Sequence, residues 1–414
     1  MTVAAPRVER PARGRSAEAL DARLMAARLG GGGPCHVLDA KLDPGGRGFV
    51  LYRLGTELVL GLIERDGELR TYPFPLDPHL PSLATAFDAR AMRTRLAGVL
   101  TDRGFERERV LSYRAWLVRY RPTRRCTIRV ELGLASELYA APVGRRVLFA
   151  KLYHTHAKAA TAHAAHRTVA AAGQIPGVAF ARPAGFAQDM NLVFQEPLSG
   201  RPLEHVLRAG ETSASALAGA AVAAFHELPA AGARPRPIEP AVTRMRARAD
   251  AVGRVEPSLG AAMATVADRL SHLLGRHADW GAAPCLVHGD CKPSQFLIGR
   301  SGVSFLDLDH CGVADPASDI GAYLAGVRGI EARPGLGTDA RMQLIRARGE
   351  FLDAYAARRG GDGLLLRVRW YEAATLLRKA YRAFQRSPRS PLADALVAAA
   401  DRRLDALSHP RRRP

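Results

Sequence analysis

Lysine is scarce in this chain. Of 60 basic residues only Lys41, Lys151, Lys158, Lys292 and Lys379 are lysines, so a Lys in an apolar context stands out. Cysteine is scarce too. Cys35, Cys126, Cys285, Cys291 and Cys311 are odd in number, scattered, and never in Cys-x-x-Cys spacing. That argues against a disulfide framework or a zinc site and leads to the expectation of a reducing, cytoplasmic setting. No apolar run reaches the ~20 residues that a membrane helix needs, so no membrane partner is expected. Arg7, Arg10, Arg13 and Arg15 are followed by no apolar stretch, and a secretory signal is not expected either. Aromatic residues make up 6% and are not interleaved with the basic ones as single-strand nucleic-acid binders require, so nucleic acid is not an expected partner. Acidic residues number 40, leaving a net charge of +20. Part of that excess fits an Arg-rich, GC-rich coding bias. The remainder favours anionic partners and repels polycations.

What the chain does have is length and apolar content, 414 residues at 47%, enough for two or three domains with one sizeable core. Residues 1–34 read as a flexible tail with one helix, Ala17 to Leu29. Residues 35–110 read as an antiparallel meander plus a helix. Strand-like runs Val37 to Leu42, Gly48 to Leu54, Glu57 to Glu64 and Glu68 to Phe74 are separated by turn residues, Asp66-Gly67 being the strongest hairpin signal. An amphipathic helix from Ala84 to Leu100 follows. Residues 111–196 bring a second set of strands: Tyr113 to Tyr120, Cys126 to Leu134, Arg146 to Tyr153, then Val178 to Ala187 and Asn191 to Gln195. From 197 to 414 the periodicity is mostly helical.

Two places in this order carry chemistry. In Val147-Leu148-Phe149-Ala150-Lys151 a lysine is embedded in an apolar strand, and burying an ammonium without a partner costs several kcal/mol. The alternative is a Lys at a strand end reaching solvent. The second place is Leu286-Val287-His288-Gly289-Asp290-Cys291-Lys292-Pro293-Ser294-Gln295-Phe296-Leu297, followed by Phe305-Leu306-Asp307 and then Asp315 and Asp319. Short apolar strands here hold polar loops, and strands joined by the Gly299 to Gly302 turn could bring Asp290 and Asp307 face to face. Such a pair suits phosphoryl transfer. One carboxylate takes the acceptor proton, the other holds Mg²⁺ on nucleotide phosphates, Gln295 offers a neutral hard oxygen, and Lys292 can neutralise the γ-phosphate. Any single Asp could be a solvated loop charge. The set at this spacing is what points to catalysis.

His-Gly-Asp-x-x-x-x-Gln followed by an apolar pair and Asp307 resembles the aminoglycoside phosphotransferase/choline kinase superfamily, with Gln295 where the family usually has Asn. The resemblance implies an α+β, protein-kinase-like two-lobe fold: an antiparallel N-lobe sheet and a mostly helical C-lobe, here with an extra N-terminal β-meander. It implies ATP and Mg²⁺ as cofactors, Asp290 as the base, His288 as a brace of the catalytic loop, and Asp307 and Gln295 as metal ligands. Lys151 is similar to the strand lysine that grips the α- and β-phosphates. Glu196 and Leu198 fall where the family's hinge meets adenine through backbone groups. Asp315 and Asp319 are expected to cap or fix the segment after the metal ligand.

The turn Arg121 to Arg125 stands where the family has its phosphate-covering loop, but without glycine. Either Arg124 and its neighbours contact phosphate directly or the turn is a plain surface turn. Helix 156–172 carries no Glu to pair with Lys151. Glu131, Glu137, a histidine of that helix, or no partner at all remain open, and its histidines are expected to face solvent or cap. From Arg341 to the end there are 17 basic and 7 acidic residues. That balance disfavours polycationic aminoglycosides and favours a neutral or anionic small-molecule hydroxyl as acceptor. A Ser/Thr peptide, or a partner protein bound by a nucleotide-binding pseudokinase, are the alternatives.

Overall fold

Alternating apolar and polar residues from position 35 onward fold as antiparallel strands, and the longer 3.6-residue repeats after 203 fold as helices. The computed structural model describes residues 7–8, 15–30, 34–42, 47–64, 67–96, 99, 108–136, 142–236, 239–276, 283–360, 363–387 and 390–408. The turns expected at 43–46 and 65–66, Glu137 and the basic end 411–413 lie outside these. The described chain divides into two units.

The first unit comprises residues up to His163 together with Pro183–Pro197. It begins with β1 (Arg7–Val8), α1 (Arg15–Leu20) and α2 (Ala22–Arg28). Where one helix was expected, Asp21 breaks the run: its carboxylate accepts the backbone N–H groups of Arg23 and Leu24 and caps α2. The meander follows as β2 (Cys35–Leu42), β3 (Gly48–Leu54), β4 (Glu57–Ile63) and β5 (Leu69–Pro73), in the sheet order β1-β5-β4-β3-β2. Ala19 and Met25 are buried with Val50, Tyr52, Val59 and Ile63 of this sheet, and the Tyr52 hydroxyl donates to the Ala19 carbonyl at 2.7 Å. Of the segment expected as a flexible tail with one helix, α1 and α2 therefore pack on the meander through Ala19 and Met25. The amphipathic helix expected next is two, α3 (Leu83–Phe87) and α4 (Ala89–Leu96), split by Asp88, which caps α4 by accepting from the N–H groups of Arg90 and Ala91.

A second sheet runs in the order β10 (Pro183–Ala187), β11 (Leu192–Gln195), β8 (Pro142–Tyr153), β7 (Arg125–Ser136), β6 (Glu108–Arg121), the last three contiguous in sequence. Helix α5 (His156–Ala172) follows, and the unit boundary falls within it. The next strand, β9 (Val178–Phe180), does not join this sheet. Sequence reading placed it there as part of one strand from 178 to 187. It pairs instead, parallel, with a strand of the second unit. The sheet is completed by β10 and β11. One face buries Ile128, Val130, Leu148, Ala150 and Leu152 against Leu83, Met92 and Leu96 of α3 and α4.

The second unit holds β9 and everything after Pro197. Its elements are β12 (Arg201–Pro202), α6 (Leu203–Arg208), α7 (Ala214–Phe225), α8 (Glu239–Gly253), α9 (Pro257–Arg276), β13 (Cys285–Val287), β14 (Phe296–Gly299), β15 (Gly302–Phe305), β16 (Gly312–Ala314) and the helices α10 (Ala317–Glu331), α11 (Thr338–Arg359), α12 (Leu364–Arg386) and α13 (Leu392–Ser408). A core of Phe225, Phe296, Phe305, Tyr323 and Phe351 joins α7, the β14–β15 hairpin, α10 and α11. A second core, around Trp370, Leu376 and Leu377, joins α8, α9, α12 and α13. Among the described residues no helix is long and apolar enough to cross a membrane. All five cysteines are free thiols.

Candidate active site

Two small antiparallel strand pairs build the site in the second unit. In the first, β14 and β15 pair Phe296 with Phe305 and Gly299 with Gly302. The ladder continues one step past the strands, where the Leu306 N–H donates to the Gln295 carbonyl at 2.8 Å. Gln295 and Asp307 are thus carried to one end of the hairpin. In the second, Cys285, Leu286 and Val287 of β13 pair with Ala314, Val313 and Gly312 of β16. That pairing hangs the His288-Gly289-Asp290 loop from the end of β13.

The loop and the hairpin are tied together by His288. Its Nε2–H donates to the Leu306 carbonyl at 2.8 Å and its Nδ1 accepts the Asp290 N–H at 3.3 Å. With both ring nitrogens engaged and the side chain fully buried, His288 braces the backbone. The side-chain amide of Gln295 then spans the two acids: its Nε2 lies 3.1 Å from Asp290 Oδ2 and 3.3 Å from Asp307 Oδ2. Lys292 forms an ion pair with Asp290. Asp290, Lys292, Gln295, His288 and Asp307, all singled out in the sequence, therefore converge.

The electrostatics keep Asp290 ionised. Burial alone would raise its pKa. The charge and hydrogen bond of Lys292, the charge of Arg378 and the Gln295 hydrogen bond outweigh burial and hold it far below the usual carboxylate range. Asp307 sits in the left-handed region at φ 59°, which Asp tolerates better than branched residues. Asp307 and the Gln295 amide oxygen, after a half-turn of the amide, are hard donors. Among the described residues no group of three or more His, Cys, Asp or Glu could hold a metal. A cation here would complete its shell with phosphate and water oxygens, which is the habit of Mg²⁺, so the residues fit that ion.

Asp319 was expected to fix the segment after Asp307. Its role is different. It is buried, and it accepts the backbone N–H groups of His288 at 2.6 Å and Gly289 at 2.8 Å, together with His226 Nε2–H at 3.2 Å. Nδ1 of the same His226 meets the Tyr355 hydroxyl at 2.9 Å. Asp319 thus clamps the His288-Gly289-Asp290 loop itself, while Asp315 caps α10 through the Ala317 N–H and pairs with Arg367. Gly289 has φ 76°, and a Cβ there would fall on the Arg236 guanidinium and the His310 carbonyl oxygen. Gly289→Ala is expected to cost about 1–2 kcal/mol from the left-handed backbone alone, before any displacement of these neighbours. A urea titration comparing the two proteins measures it, with transition midpoints that coincide as the contrary result.

The other predicted residues lie elsewhere. In the first unit, Lys151 is buried on β8, the central strand, opposite Thr127 and Val193. It shares its face with Tyr153 and Val193, which pack on Ala159 and Ala162 of α5. Glu131 is opposite Val147, four residues along from Lys151, and lies within ion-pair range of Arg129 and Arg145. Arg124 is exposed in the β6–β7 turn, which Asp77 pins by accepting the Thr123 N–H and the Tyr120 hydroxyl. Glu196 and Leu198 lie on the connection between β11 and β12. The helix histidines do not all face solvent: His166 is buried in the second unit, with Nδ1 3.2 Å from the Ala181 carbonyl and Nε2 3.8 Å from Asp309.

The family model for the phosphotransferase enzyme family (APH) matches residues 128–371. A search of curated proteins returns no match. Among solved structures, choline kinase from Cryptosporidium parvum Iowa II is similar in fold, with a TM-score of 0.50 at 10% identity over 72% of this chain and 90% of that one. An aminoglycoside phosphotransferase from Streptomyces rimosus ATCC10970 gives 0.44 at 19% identity over 68% and 92%. A macrolide 2'-phosphotransferase from Brachybacterium faecium gives 0.43 at 17% identity over 76% and 98%.

Proposed function

This chain belongs to the phosphotransferase enzyme family, and from that premise we propose that it transfers the γ-phosphoryl group of ATP to a hydroxyl of a small molecule. The observation that carries this reading is the Gln295 amide nitrogen standing within 3.3 Å of both Asp290 and Asp307. Two carboxylates brought that close serve a purpose when one receives a proton and the other answers a cation.

Asp290, ionised at neutral pH, accepts the proton of the acceptor hydroxyl. The freed oxygen forms its bond to the γ-phosphorus as the bond to the β–γ bridging oxygen breaks, and ADP leaves. Lys292, already paired with Asp290, neutralises charge on the transferred group. Asp307 and Gln295 would hold Mg²⁺, which supplies charge neutralisation on the phosphates when bound. His288 and Asp319 hold the loop, so little reorganisation is needed during the step. Lys151 contributes its ammonium to the α- and β-phosphates.

The test is ADP formation across a panel of hydroxylated metabolites, with and without Mg²⁺, beside a thermal-shift titration with Mg·ATP. The proposal expects a nucleotide-dependent shift and acceptor-dependent ADP release. A protein that neither shifts nor consumes ATP would sink it. Lys151→Met is expected to raise KM for ATP about tenfold or more, the loss of one charge-assisted contact to phosphate. Steady-state kinetics in ATP reads this directly, and an unchanged KM would remove Lys151 from the nucleotide site.

A further inference from the structure

The second unit carries more positive charge around Asp290 than the step above uses. Residues 234–236 add to β16 as a short extra strand. The Arg236 N–H donates to the Val313 carbonyl at 2.9 Å and the Val313 N–H donates to the Arg234 carbonyl at 2.7 Å. That places the Arg236 side chain over Gly289 and Gly312, with its guanidinium donating to the His310 carbonyl. Arg236 is therefore fixed against the residue next to Asp290.

Helix α12, packed against α10, brings a second source of charge to the same place. A Cβ at Gly326 would meet Pro293 Cδ at 2.5 Å and Lys292 Cβ at 3.3 Å, and one at Gly329 would meet Lys379 Nζ at 3.2 Å. Gly326 and Gly329 are i and i+3, on one face of the helix. The Lys379 ammonium of α12 thus lies one helical turn from the catalytic loop. Its neighbour Arg378 is close enough to Asp290 for each to act on the other's ionisation. Arg248 of α8, stacked 5.4 Å over Tyr381 of α12, and Arg236 both repel the Arg378 charge.

These cations are poorly compensated. Among the described residues no carboxylate pairs with or accepts a hydrogen bond from Arg378 or Lys379, and Asp290 and Glu204 act on them only through space. Burial and the charges of Lys292 and Arg378 push the Lys379 ammonium down to about 8. Partly buried like charges held together with no carboxylate in contact are costly, and an anion that enters among them recovers that cost. A polycationic or choline-like acceptor would meet repulsion at the same place.

We propose that Arg378 and Lys379, with Arg236 and Arg248 beside them, bind a carboxylate or phosphate carried by the acceptor near the hydroxyl that Asp290 deprotonates. This rests on the kinase reading only for the identity of the ligand as acceptor. The anion site itself stands on the second unit alone.

The experiment separates the two. Inorganic phosphate is titrated calorimetrically into the full chain saturated with Mg²⁺ and a non-hydrolysable ATP analogue, so that the nucleotide's own phosphate contacts are filled. Phosphate is expected to bind. The Arg378→Gln/Lys379→Gln double variant is expected to weaken it by about tenfold or more while leaving analogue affinity within about twofold. D-glycerate and glycerol 3-phosphate, but not glycerol or choline, are expected to displace the bound phosphate, and their ranking tells carboxylate from phosphate. No phosphate binding to the saturated wild-type protein overturns the proposal without any variant. So does undiminished binding by the double variant, or by Lys379→Gln alone if the double variant does not fold. A variant that loses the analogue instead assigns these residues to the nucleotide and likewise overturns it. If the analogue fails to bind wild type, the kinase reading fails, and the same phosphate titration on nucleotide-free protein, wild type against variant, still decides the anion site.

Discussion

Asp290→Asn is expected to lower kcat by about 10²–10⁴, the range associated with loss of a positioned general base. Asp307→Asn is expected to lower it by at least about 10²–10³ through loss of electrostatic stabilisation. The two losses should differ in kind. Asn at 290 keeps the size of the side chain and removes the proton acceptor, so the Mg·ATP thermal shift should persist. Asn at 307 removes the charge that answers the cation, so the same shift should weaken and the Mg²⁺ concentration for half-maximal rate should rise. The pH profile adds a third readout. Burial raises the Asp290 pKa, but Lys292, Arg378 and Gln295 more than reverse this, so the carboxylate persists as pH falls. Protonation of Asp290 should therefore produce no acidic limb in kcat at or above the ordinary carboxylate value of about 4. Turnover near wild type in either variant, or identical Mg²⁺ dependence in both, would contradict the assignments.

Much of this site was legible because hairpin arithmetic is local. Once Gly299 to Gly302 is read as a turn, residues on either side must pair in order, and Gln295 and Asp307 must meet at the far end. Helix α5 was legible from His156 to Ala172 because the segment is rich in Ala and has no Gly or Pro. Where reading failed, the missing information was long-range or was a cap overlooked. Val178–Phe180 is a three-residue apolar run, and nothing in it says whether its partner lies in the first unit or in β15. Asp21 and Asp88 are cap signals in the sequence, each two to three residues ahead of the N–H groups it accepts, and each splits a segment that periodicity alone reads as one helix. The clamp by Asp319 could not be read at all, because its acceptors serve backbone N–H groups 30 and 31 residues away, and a backbone donor leaves no residue signature. Arg236 and Arg378 gave no sign in the sequence either, being two arginines among many until strand addition set one over Gly289 and helix packing set the other within electrostatic reach of Asp290.

Asp319→Asn should be the most destabilising of these substitutions. The wild-type carboxylate is about 1% exposed and accepts three donors, the N–H groups of His288 and Gly289 and His226 Nε2–H. Asparagine keeps one acceptor oxygen and turns an NH₂ toward groups that are themselves donors. At least one buried N–H then loses its partner at about 1–3 kcal/mol, and the break in the buried charged network brings the total to the order of 3–5 kcal/mol. The pH dependence identifies the cause. Burial raises the Asp319 pKa, but the hydrogen bond and attraction of His226, the attraction of His288 and the Gly289 N–H together leave it lowered. With the folded value below the unfolded one, the unfolded chain binds the extra proton first as pH falls. The stabilisation is therefore present above the unfolded carboxylate value of about 4 and is lost below it. Urea midpoints at neutral pH should accordingly fall sharply in Asp319→Asn, and the component of acid sensitivity below about pH 4 that wild type owes to this residue should be absent from the variant. Because the clamp holds the backbone of His288 and Gly289, directly before Asp290, activity should fall with stability even at temperatures where the variant stays folded. A variant with the wild-type midpoint and full turnover would show that the loop keeps its shape without this carboxylate.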